Sequence, residues 1–362
     1  MKTKSNRSHD NMRKIMEDVL LALIPSIAIS YCAYGFTSLL LIAVAIVSAV
    51  LSEAVFTLIF RGNANSVRDG SAVITAILIT FTLAPFTPWY VVAFGASMAV
   101  IFGKLLWGGM GKNQMNPALL GREFMTVFFP AVMMSRDIWF NKDLLEVKNI
   151  HLFDFLGNNS LASMLNQLLY NPSGAIGEYS ILFLILGGLF LLIRKRITWH
   201  IPFAITVAFF LLSWIFQGFD IRFSVGGVLL GAIFMATDMP TCAKTKSGKI
   251  YYGVMIAVTA FLFLLNHVKY EYMSYSILLL NLFAKSIDTT LKPQSWTHKT
   301  WIGQSGKTLL LTIIILVAAF FIALMHHFIG IKFLIFFFIV YIIYNFIKSH
   351  QDGDAALLKR RV

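Results

Sequence analysis

Long apolar runs alternate with short polar segments along almost the whole chain. Most of these runs approach or exceed the roughly 20 residues that an α-helix needs to cross a bilayer. The pattern predicts ten core helices, over residues 17–34, 36–60, 71–86, 87–106, 116–134, 179–193, 201–216, 223–239, 250–266 and 273–287, and two more over 308–328 and 331–347. The third and eighth helices are short enough to be re-entrant instead of spanning. The pattern therefore indicates an all-α polytopic membrane protein.

Composition and charge placement agree with a membrane protein. Hydrophobic residues make up 58% of the 362 residues and charged residues 13%, with a net charge of +13. If the N-terminus lies inside, most of the 30 Lys and Arg residues fall in inner segments, which is the positive-inside pattern of membrane proteins. The basic residues then orient the chain and contact lipid headgroups, so nucleic-acid binding is excluded. We expect a multi-pass protein of the cytoplasmic (inner) membrane with a cytoplasmic N-terminus and no cleavable signal peptide.

A weak internal duplication relates the two halves of the core. Residues 71–85 resemble residues 226–240, so that Thr82 and Pro85 fall opposite Thr237 and Pro240 at a constant offset of 155. Because each copy has an odd number of helices, five, the second copy must be inverted in the membrane. Proteins built from inverted repeats commonly bind their ligands near the axis that relates the two copies. We therefore divide the chain into a first five-helix repeat (1–135), an outer loop (136–178), a second five-helix repeat (179–295) and a C-terminal helical hairpin with an inner tail (296–362). The alternative is that similar apolar composition mimics a repeat.

The segment 103–124, GKLLWGGMGKNQMNPALLGREF, interrupts this apolar pattern. Backbone so rich in Gly and Pro cannot form a plain helix, and irregular backbone at membrane depth is tolerated only where it lines a cavity or is buried in protein. Gly108 and Gly109 allow close approach to a ligand, Asn113 and Asn116 both donate and accept, and Pro117 suits the first turn of the next helix. The segment predicts a binding site, or the floor of one.

Five ordered motifs resemble the membrane D subunit of the Rnf complex and its homologue, the B subunit of the sodium-pumping NADH:quinone oxidoreductase. They are DGSAVIT at 69–75, the segment 103–124 with NPALLGR at 116–122, GEYS at 177–180, ATD at 236–238 and NLFAKSID at 281–288. The resemblance covers about residues 15–295. It implies a flavin-carrying subunit that couples electron flow to Na⁺ or H⁺ movement, inside a complex with other membrane subunits, iron–sulfur subunits and an extracytoplasmic flavoprotein.

The resemblance implies a covalent flavin in the outer loop. Family members attach FMN through a phosphoester to a Thr after the fifth helix, and here Ser163 takes that place, with Ser160 matching a neighbouring motif position. The motif is degenerate, since Gly157 replaces its leading Asp and Leu161 its Gly, so an unmodified loop serine is the alternative. Gly177 and Glu178 open the sixth helix, whose positive N-terminus suits a phosphate, although a role of Glu178 in the helix dipole alone is an equal alternative.

A second, noncovalent flavin, either riboflavin or FMN, is implied in the central segment. Its candidate residues are Lys104, Gly108, Gly109, Asn113, Asn116, Pro117 and Gly121. A re-entrant structural turn is the alternative. Flavin supplies one-electron steps, whereas the protein tunes its potential and position.

Acidic residues inside apolar helices mark candidate ion pathways. Glu53 interrupts the otherwise apolar second helix, and intramembrane carboxylates are functional candidates by default. We expect Glu53 and Asp238 to serve cation passage, whereas Glu123 forms a simple ion pair with the adjacent Arg122 and Asp69 caps a helix.

The remaining chemistry is limited. Two cysteines, Cys32 and Cys242, cannot ligate an iron–sulfur cluster and are too far apart in the predicted topology for a disulfide. Because the sequence has no nicotinamide-binding fingerprint, the chain would not be a complete oxidoreductase alone. Two other functions remain open: an inverted-repeat transporter or channel without a redox cofactor, and a transmembrane electron conduit that does not pump ions.

Overall fold

The computed structural model describes residues 2–135, 138–139, 164, 166, 175–219, 221–292, 298–328 and 330–359. These residues form twelve principal helices: α1 (Lys2–Tyr34), α2 (Phe36–Arg61), α3 (Ser71–Phe81), α4 (Trp89–Val100, continued by a π-helical turn Ile101–Leu105), α5 (Pro117–Phe128), α6 (Ile181–Ile193), α7 (His200–Ile215), α8 (Val225–Leu230, continued by a π-helical turn Gly231–Met235), α9 (Lys246–Leu265), α10 (Tyr272–Thr290), α11 (His298–His327) and α12 (Ile331–Lys359). The described part of the chain contains no β-strand. The all-α polytopic prediction is confirmed.

Five of the helices are long and apolar enough to cross a bilayer, namely α1, α2, α9, α11 and α12. Large apolar side chains are exposed on α2, α11 and residues 331–349 of α12, which fits a surface that faces lipid, whereas α9 is largely buried. The boundaries differ from the prediction chiefly at the ends. The predicted helices 71–86 and 223–239 end earlier, at Phe81 and Met235, whereas α12 continues to Lys359.

The packing of the first five helices recurs in the next five. In the first set α4 packs against α2 and α5, and in the second set α9 packs against α7 and α10. The helices also begin at matching positions, since α5 starts at Pro117 and α10 at Tyr272, the spacing of 155 that relates Thr82 to Thr237. These correspondences favour a true internal repeat over a coincidence of composition.

Helices α3 and α8 are half-length helices at the centre of the bundle. Each spans 11 residues, α8 with its π-helical turn included, or about 16 Å at 1.5 Å per residue, roughly half the hydrocarbon thickness. Their side chains are almost all buried in protein. Because their backbone ends lie among other helices, the carbonyl and amide groups there must find partners within the protein.

The two half-helices run in opposite directions. The N-terminal half of α3 and the C-terminal half of α8 line one cavity. The opposite ends both contact a short 3-10 turn, Ile176–Glu178: the Ile176 amide donates to the Leu83 carbonyl 2.9 Å away, and Glu178 lies against Gly226 and Gly227. The bundle therefore has two polar ends, which we call the aspartate end (Asp69, Asp238) and the glutamate end (Glu123, Glu271).

The C-terminal pair of helices packs on one side of this core. Helix α11 lies against α9 and α10, where the Tyr251 hydroxyl is 2.7 Å from that of Thr312, and α12 contacts α5 and α11. Among residues 331–349 of α12, whose side chains the structure describes, only Ile342 is buried. The pair is thus attached mainly through α11.

Candidate functional site

The central segment forms the turn between α4 and α5. The last turn of α4 widens into a π-helix that carries Lys104, and the chain then turns through three glycines with positive φ, Gly108, Gly109 and Gly111 (103°, 103° and 81°). Only Gly adopts such angles readily, which accounts for the Gly-rich sequence. Asn116 then caps α5, its side-chain oxygen accepting from the Leu119 amide at 3.2 Å, and Pro117 occupies the first turn as predicted.

Lys104 holds together the two carboxylates nearest the start of α3. Its ammonium nitrogen lies 2.7 Å from Oε1 of Glu53 and 2.9 Å from Oδ2 of Asp69. Ser66 also donates to Oε1 of Glu53 at 2.6 Å, whereas Oε2 of Glu53 is buried without a partner. Asp69 accepts from the Ser71 amide, the first of α3, at 2.8 Å, although the N-cap residue of this helix is Gly70 and not Asp69 as predicted. With all three groups ionised, this buried cluster carries one net negative charge.

A ladder of amides closes the opposite wall of the aspartate end. The Asn116 side chain donates to the Met235 carbonyl at 3.1 Å, at the end of α8, and its backbone amide donates to the Asn281 side chain at 3.0 Å. Asn281 in turn donates to the Tyr252 hydroxyl at 2.7 Å. The ladder therefore satisfies groups that the half-helix would otherwise leave unpaired.

Asp238 lies directly after α8 at the edge of the same cavity. Its Oδ2 accepts from Asn113 at 3.2 Å and from the Thr241 hydroxyl at 3.1 Å. The cavity lies between the two half-helices, and α1 and α6 complete its walls. Its polar lining includes Ser71, Thr75, Lys104, Asn113, Asn116, Arg196, Thr237 and Asp238, and its apolar lining includes Val19, Leu78, Ile233 and Phe234.

The other predicted glycines lie outside this cavity. Gly108 and Gly109 shape the turn, with Gly109 facing the Arg61 guanidinium. Gly121 lies where α5 crosses α4, and a Cβ there would come 2.6 Å from the Gly95 carbonyl oxygen, so its absence permits the close crossing. Gly177 packs on Phe81 at the glutamate end.

Glu178 lies at the start of α8. A Cβ added to Gly227 would be 2.8 Å from Oε1 of Glu178, which places the carboxylate over the first turn of that helix. A carboxylate there complements the positive end of α8, whereas the alternative to phosphate binding that the sequence offered concerned the dipole of the sixth helix. Ser160 and Ser163 lie outside the described residues.

Arg122 does not pair with Glu123, contrary to the sequence prediction. It forms a bidentate ion pair with Glu271, the residue before α10, at 2.7 and 3.1 Å, and donates to the Thr82 carbonyl at the end of α3. Glu123 is 2% exposed, and neither of its carboxyl oxygens has a hydrogen-bond partner. Residues adjacent in a helix point about 100° apart, which explains why Arg122 reaches a different helix.

Sequence reasoning missed Glu271 as a partner of Arg122. One signal was present, since Glu271 precedes α10 at the position that Asn116 holds before α5, 155 residues earlier. Cys32 is exposed and Cys242 is buried, and both are free thiols.

Comparison with known proteins decides the family. The sequence model of the NQR2, RnfD, RnfE family matches residues 3–297. This chain belongs to that family. The match ends before α11 begins, so the C-terminal helical pair lies beyond the region that the family model covers.

Three curated relatives are similar over most of their length. The D subunit of the Na⁺-translocating ferredoxin:NAD⁺ oxidoreductase complex of Acetobacterium woodii is 33% identical, with 79% of this chain and 91% of that protein aligned. The D subunit of the proton-translocating ferredoxin:NAD⁺ oxidoreductase complex of Clostridium ljungdahlii is 32% identical, covering 79% of this chain and 92% of that protein. The D subunit of an ion-translocating oxidoreductase complex of Alcanivorax borkumensis is 31% identical over 80% and 94%.

Proposed function

We propose that this chain is a flavin-carrying membrane subunit of an ion-translocating electron-transport complex, oriented with the aspartate end toward the cytoplasm. The observation that carries the proposal is the cavity between the antiparallel half-helices, where Lys104, Asn113, Asn116 and Asp238 converge above an apolar floor. Flat cofactors bind in such apolar clefts with a few convergent polar groups. The family membership and the names of the three relatives support the complex and the ion translocation.

The residues of this cavity fit an uncharged flavin better than a phosphorylated one. Both basic side chains that line it, among the described residues, are already engaged: Lys104 with Glu53 and Asp69, and Arg196 with Asp18 at 2.6 Å. A phosphate would therefore face carboxylates without a free cation. Amide groups such as Asn113 suit the polar edge of an isoalloxazine ring, and side chains such as Leu78 and Phe234 suit its faces. We propose riboflavin here; when bound, it would supply one-electron transfer.

A covalent FMN at Ser163 is a separate proposal. Its support is the outer-loop motif, in which Ser163 supplies the hydroxyl and Ser160 a matching position. An extracytoplasmic flavoprotein subunit would exchange electrons there, and iron–sulfur subunits of the complex would exchange electrons with the flavins.

Flavin analysis of the purified chain tests both sites. We expect the native protein to be yellow and the noncovalent flavin that is extracted from it to be riboflavin, without phosphate. After denaturation, the protein band on a gel should be fluorescent and carry the added mass of one FMN. Ser163→Ala should abolish this fluorescence, whereas Ser160→Ala should retain it. A dark gel band would overturn the covalent site only. If the chain isolated within its complex is colourless, the flavin function is wrong and the cofactor-free transporter takes its place.

For the coupling ion, we propose that Glu53 and Asp238 form the cytoplasmic part of the pathway. Glu53 has one buried oxygen without a partner, and Asp238 borders the cavity. Electron transfer and ion uptake measured in vesicles of the whole complex should uncouple in Glu53→Gln. Glu17→Gln is the matched control, because Glu17 is exposed and pairs with Arg13 on the helix surface. Normal ion uptake in Glu53→Gln would contradict this pathway. If the unaltered complex transfers electrons without taking up ions, the chain is better described as an electron conduit that does not pump ions.

A further inference from the structure

The glutamate end contains a buried acid that no ion pair or hydrogen bond accounts for. Glu123 is 2% exposed, on the buried face of α5, and both of its carboxyl oxygens lack hydrogen-bond partners. Burying an ionised carboxylate without a partner is so unfavourable that such a group takes up a proton or a cation instead. Glu123 therefore needs a bound positive charge.

The guanidinium next to Glu123 is already committed. Arg122 forms its bidentate pair with Glu271 and donates to two backbone carbonyls, those of Thr82 and Tyr270. If Glu123 were ionised as well, two carboxylates would share one cation in a site with almost no solvent contact. The side chains of Glu271 and Ser274 lie close to Glu123 but outside hydrogen-bond geometry, and neither adds positive charge.

We propose that Glu123 is a proton-binding site at the glutamate end, separate from the flavin cavity and from the Glu53–Asp238 pathway. A proton suits this site better than Na⁺, because a metal ion needs several oxygen ligands and Arg122 would repel it. The neutral carboxyl group then sits beside the Arg122–Glu271 pair without adding charge. The site does not depend on bound flavin.

The C-terminal helical pair supplies an access route to this site. His326, near the end of α11, lies with its Nδ1 3.0 Å from the Tyr275 hydroxyl. Tyr275 is buried on α10, one turn after Glu271, and its backbone amide donates to the Glu271 carbonyl. His326 is partly exposed, so its imidazole can exchange protons with water. In the step we infer, His326 gains a proton from water, and Tyr275 takes that proton from His326 while passing its own to the Glu123 carboxylate. This transfer requires the Tyr275 hydroxyl to move within hydrogen-bond distance of Glu123, because the two groups share no hydrogen bond in this structure. One proton moves and Glu123 becomes neutral.

Infrared spectroscopy of the full chain in lipid vesicles tests the proton site directly. A carbonyl-stretch band of a protonated carboxylic acid, shifted by D₂O, should be present in the wild-type protein and absent in Glu123→Gln. Gln preserves the shape and neutrality of the protonated acid, so the variant should fold. The matched control is Glu53→Gln, another buried glutamate, which should keep the band because Glu53 is ion-paired to Lys104.

Three outcomes would overturn the assignment. The first is an identical band in Glu123→Gln, and the second is the absence of the band from the wild-type protein. The third is loss of the band when Na⁺ replaces K⁺ at constant pH, which would make Glu123 a sodium site.

The proposed access route through α11 has its own test. His326→Ala should slow the exchange of the Glu123 carboxyl proton for deuterium, followed by the shift of the band, about tenfold. His327→Ala is the matched control, because His327 is exposed and contacts the Asn266 carbonyl instead of Tyr275, and it should leave the exchange rate unchanged. Equal exchange rates in both variants would overturn the route through α11.

Discussion

The two ends of the half-helix pair solve the same structural problem with different chemistry. At the aspartate end, the last carbonyl groups of α8 are bound by the Asn116 amide, and a cavity remains beside them. At the glutamate end, the Arg122 guanidinium binds the Thr82 carbonyl at the end of α3. The Glu271 carboxylate, which precedes α10, neutralises this guanidinium. The equivalent positions Asn116 and Glu271 therefore carry an amide in one repeat and a charge in the other.

This contrast bears on the different functions that we propose for the two ends. A neutral amide closes a helix end without requiring a counter-ion, so the neighbouring polar groups stay available for a ligand. A guanidinium requires a buried carboxylate, and that carboxylate changes the charge balance around Glu123. We therefore expect a ligand-binding end and a proton-binding end, and substitutions at the two ends should differ in their cost.

Replacing Arg122 should have the largest effect. In Arg122→Met, Glu271 stays buried without its counter-charge and the Thr82 carbonyl loses its donor, so we expect a loss of about 3–5 kcal/mol in the free energy of unfolding. The measurement is thermal unfolding of the purified protein in detergent. The double variant Arg122→Met/Glu271→Met should recover most of the loss, because a well-packed apolar pair replaces the buried ions. A single variant as stable as the wild-type protein would show that the pair contributes nothing at this end.

Replacing Lys104 should be somewhat milder. Lys104→Met leaves the fully buried Glu53 unpaired, but Asp69 keeps its Ser71 contacts and some solvent access, so we expect a loss of about 3 kcal/mol. Adding Glu53→Gln should restore much of the stability, as measured by the same unfolding experiment. If the second substitution brings no recovery, Glu53 is not the group that Lys104 neutralises.

Asn116→Ala should cost less than either charge substitution. It removes the cap of α5 and a donor to the Met235 carbonyl, so we expect a loss of about 2 kcal/mol together with weaker flavin retention. Thr245→Ala is the matched control, since Thr245 caps α9 through the Gly248 amide but does not line the cavity. That control should cost about 1 kcal/mol and leave flavin unchanged. Equal flavin retention in both variants would place the flavin elsewhere.

Asp238→Asn should have the smallest effect on stability. The amide can keep a contact with Thr241 or Asn113 at nearly the same shape, so we expect a change below about 1 kcal/mol. Ion-dependent turnover of the complex should nevertheless fall, because the carboxylate charge beside the cavity is lost. A large loss of stability with unchanged turnover would make Asp238 a structural residue.

Several features of the fold were readable from the sequence. Apolar runs of sufficient length predict helices wherever they occur, and Asn116 followed by Pro117 marks a helix start because both residues suit that position. The glycines before them predict a turn, which the positive φ values of Gly108, Gly109 and Gly111 confirm. The presence of acids in apolar helices, such as Glu53, also indicates a buried polar site whatever the tertiary fold.

The partners of these polar residues were decided only by tertiary structure. Lys104 and Glu53 are 51 residues apart, and Arg122 and Glu271 are 149 apart, so no local pattern relates them. Arg122 and Glu123 look like an ion pair in the sequence, yet neighbouring helical side chains point in different directions and only the packing of α10 supplies the true partner. Sequence determines which segments cross the membrane, because the hydrophobic effect acts on each segment by itself. Packing determines which charges meet, because a buried charge must be compensated by whichever helix lies beside it.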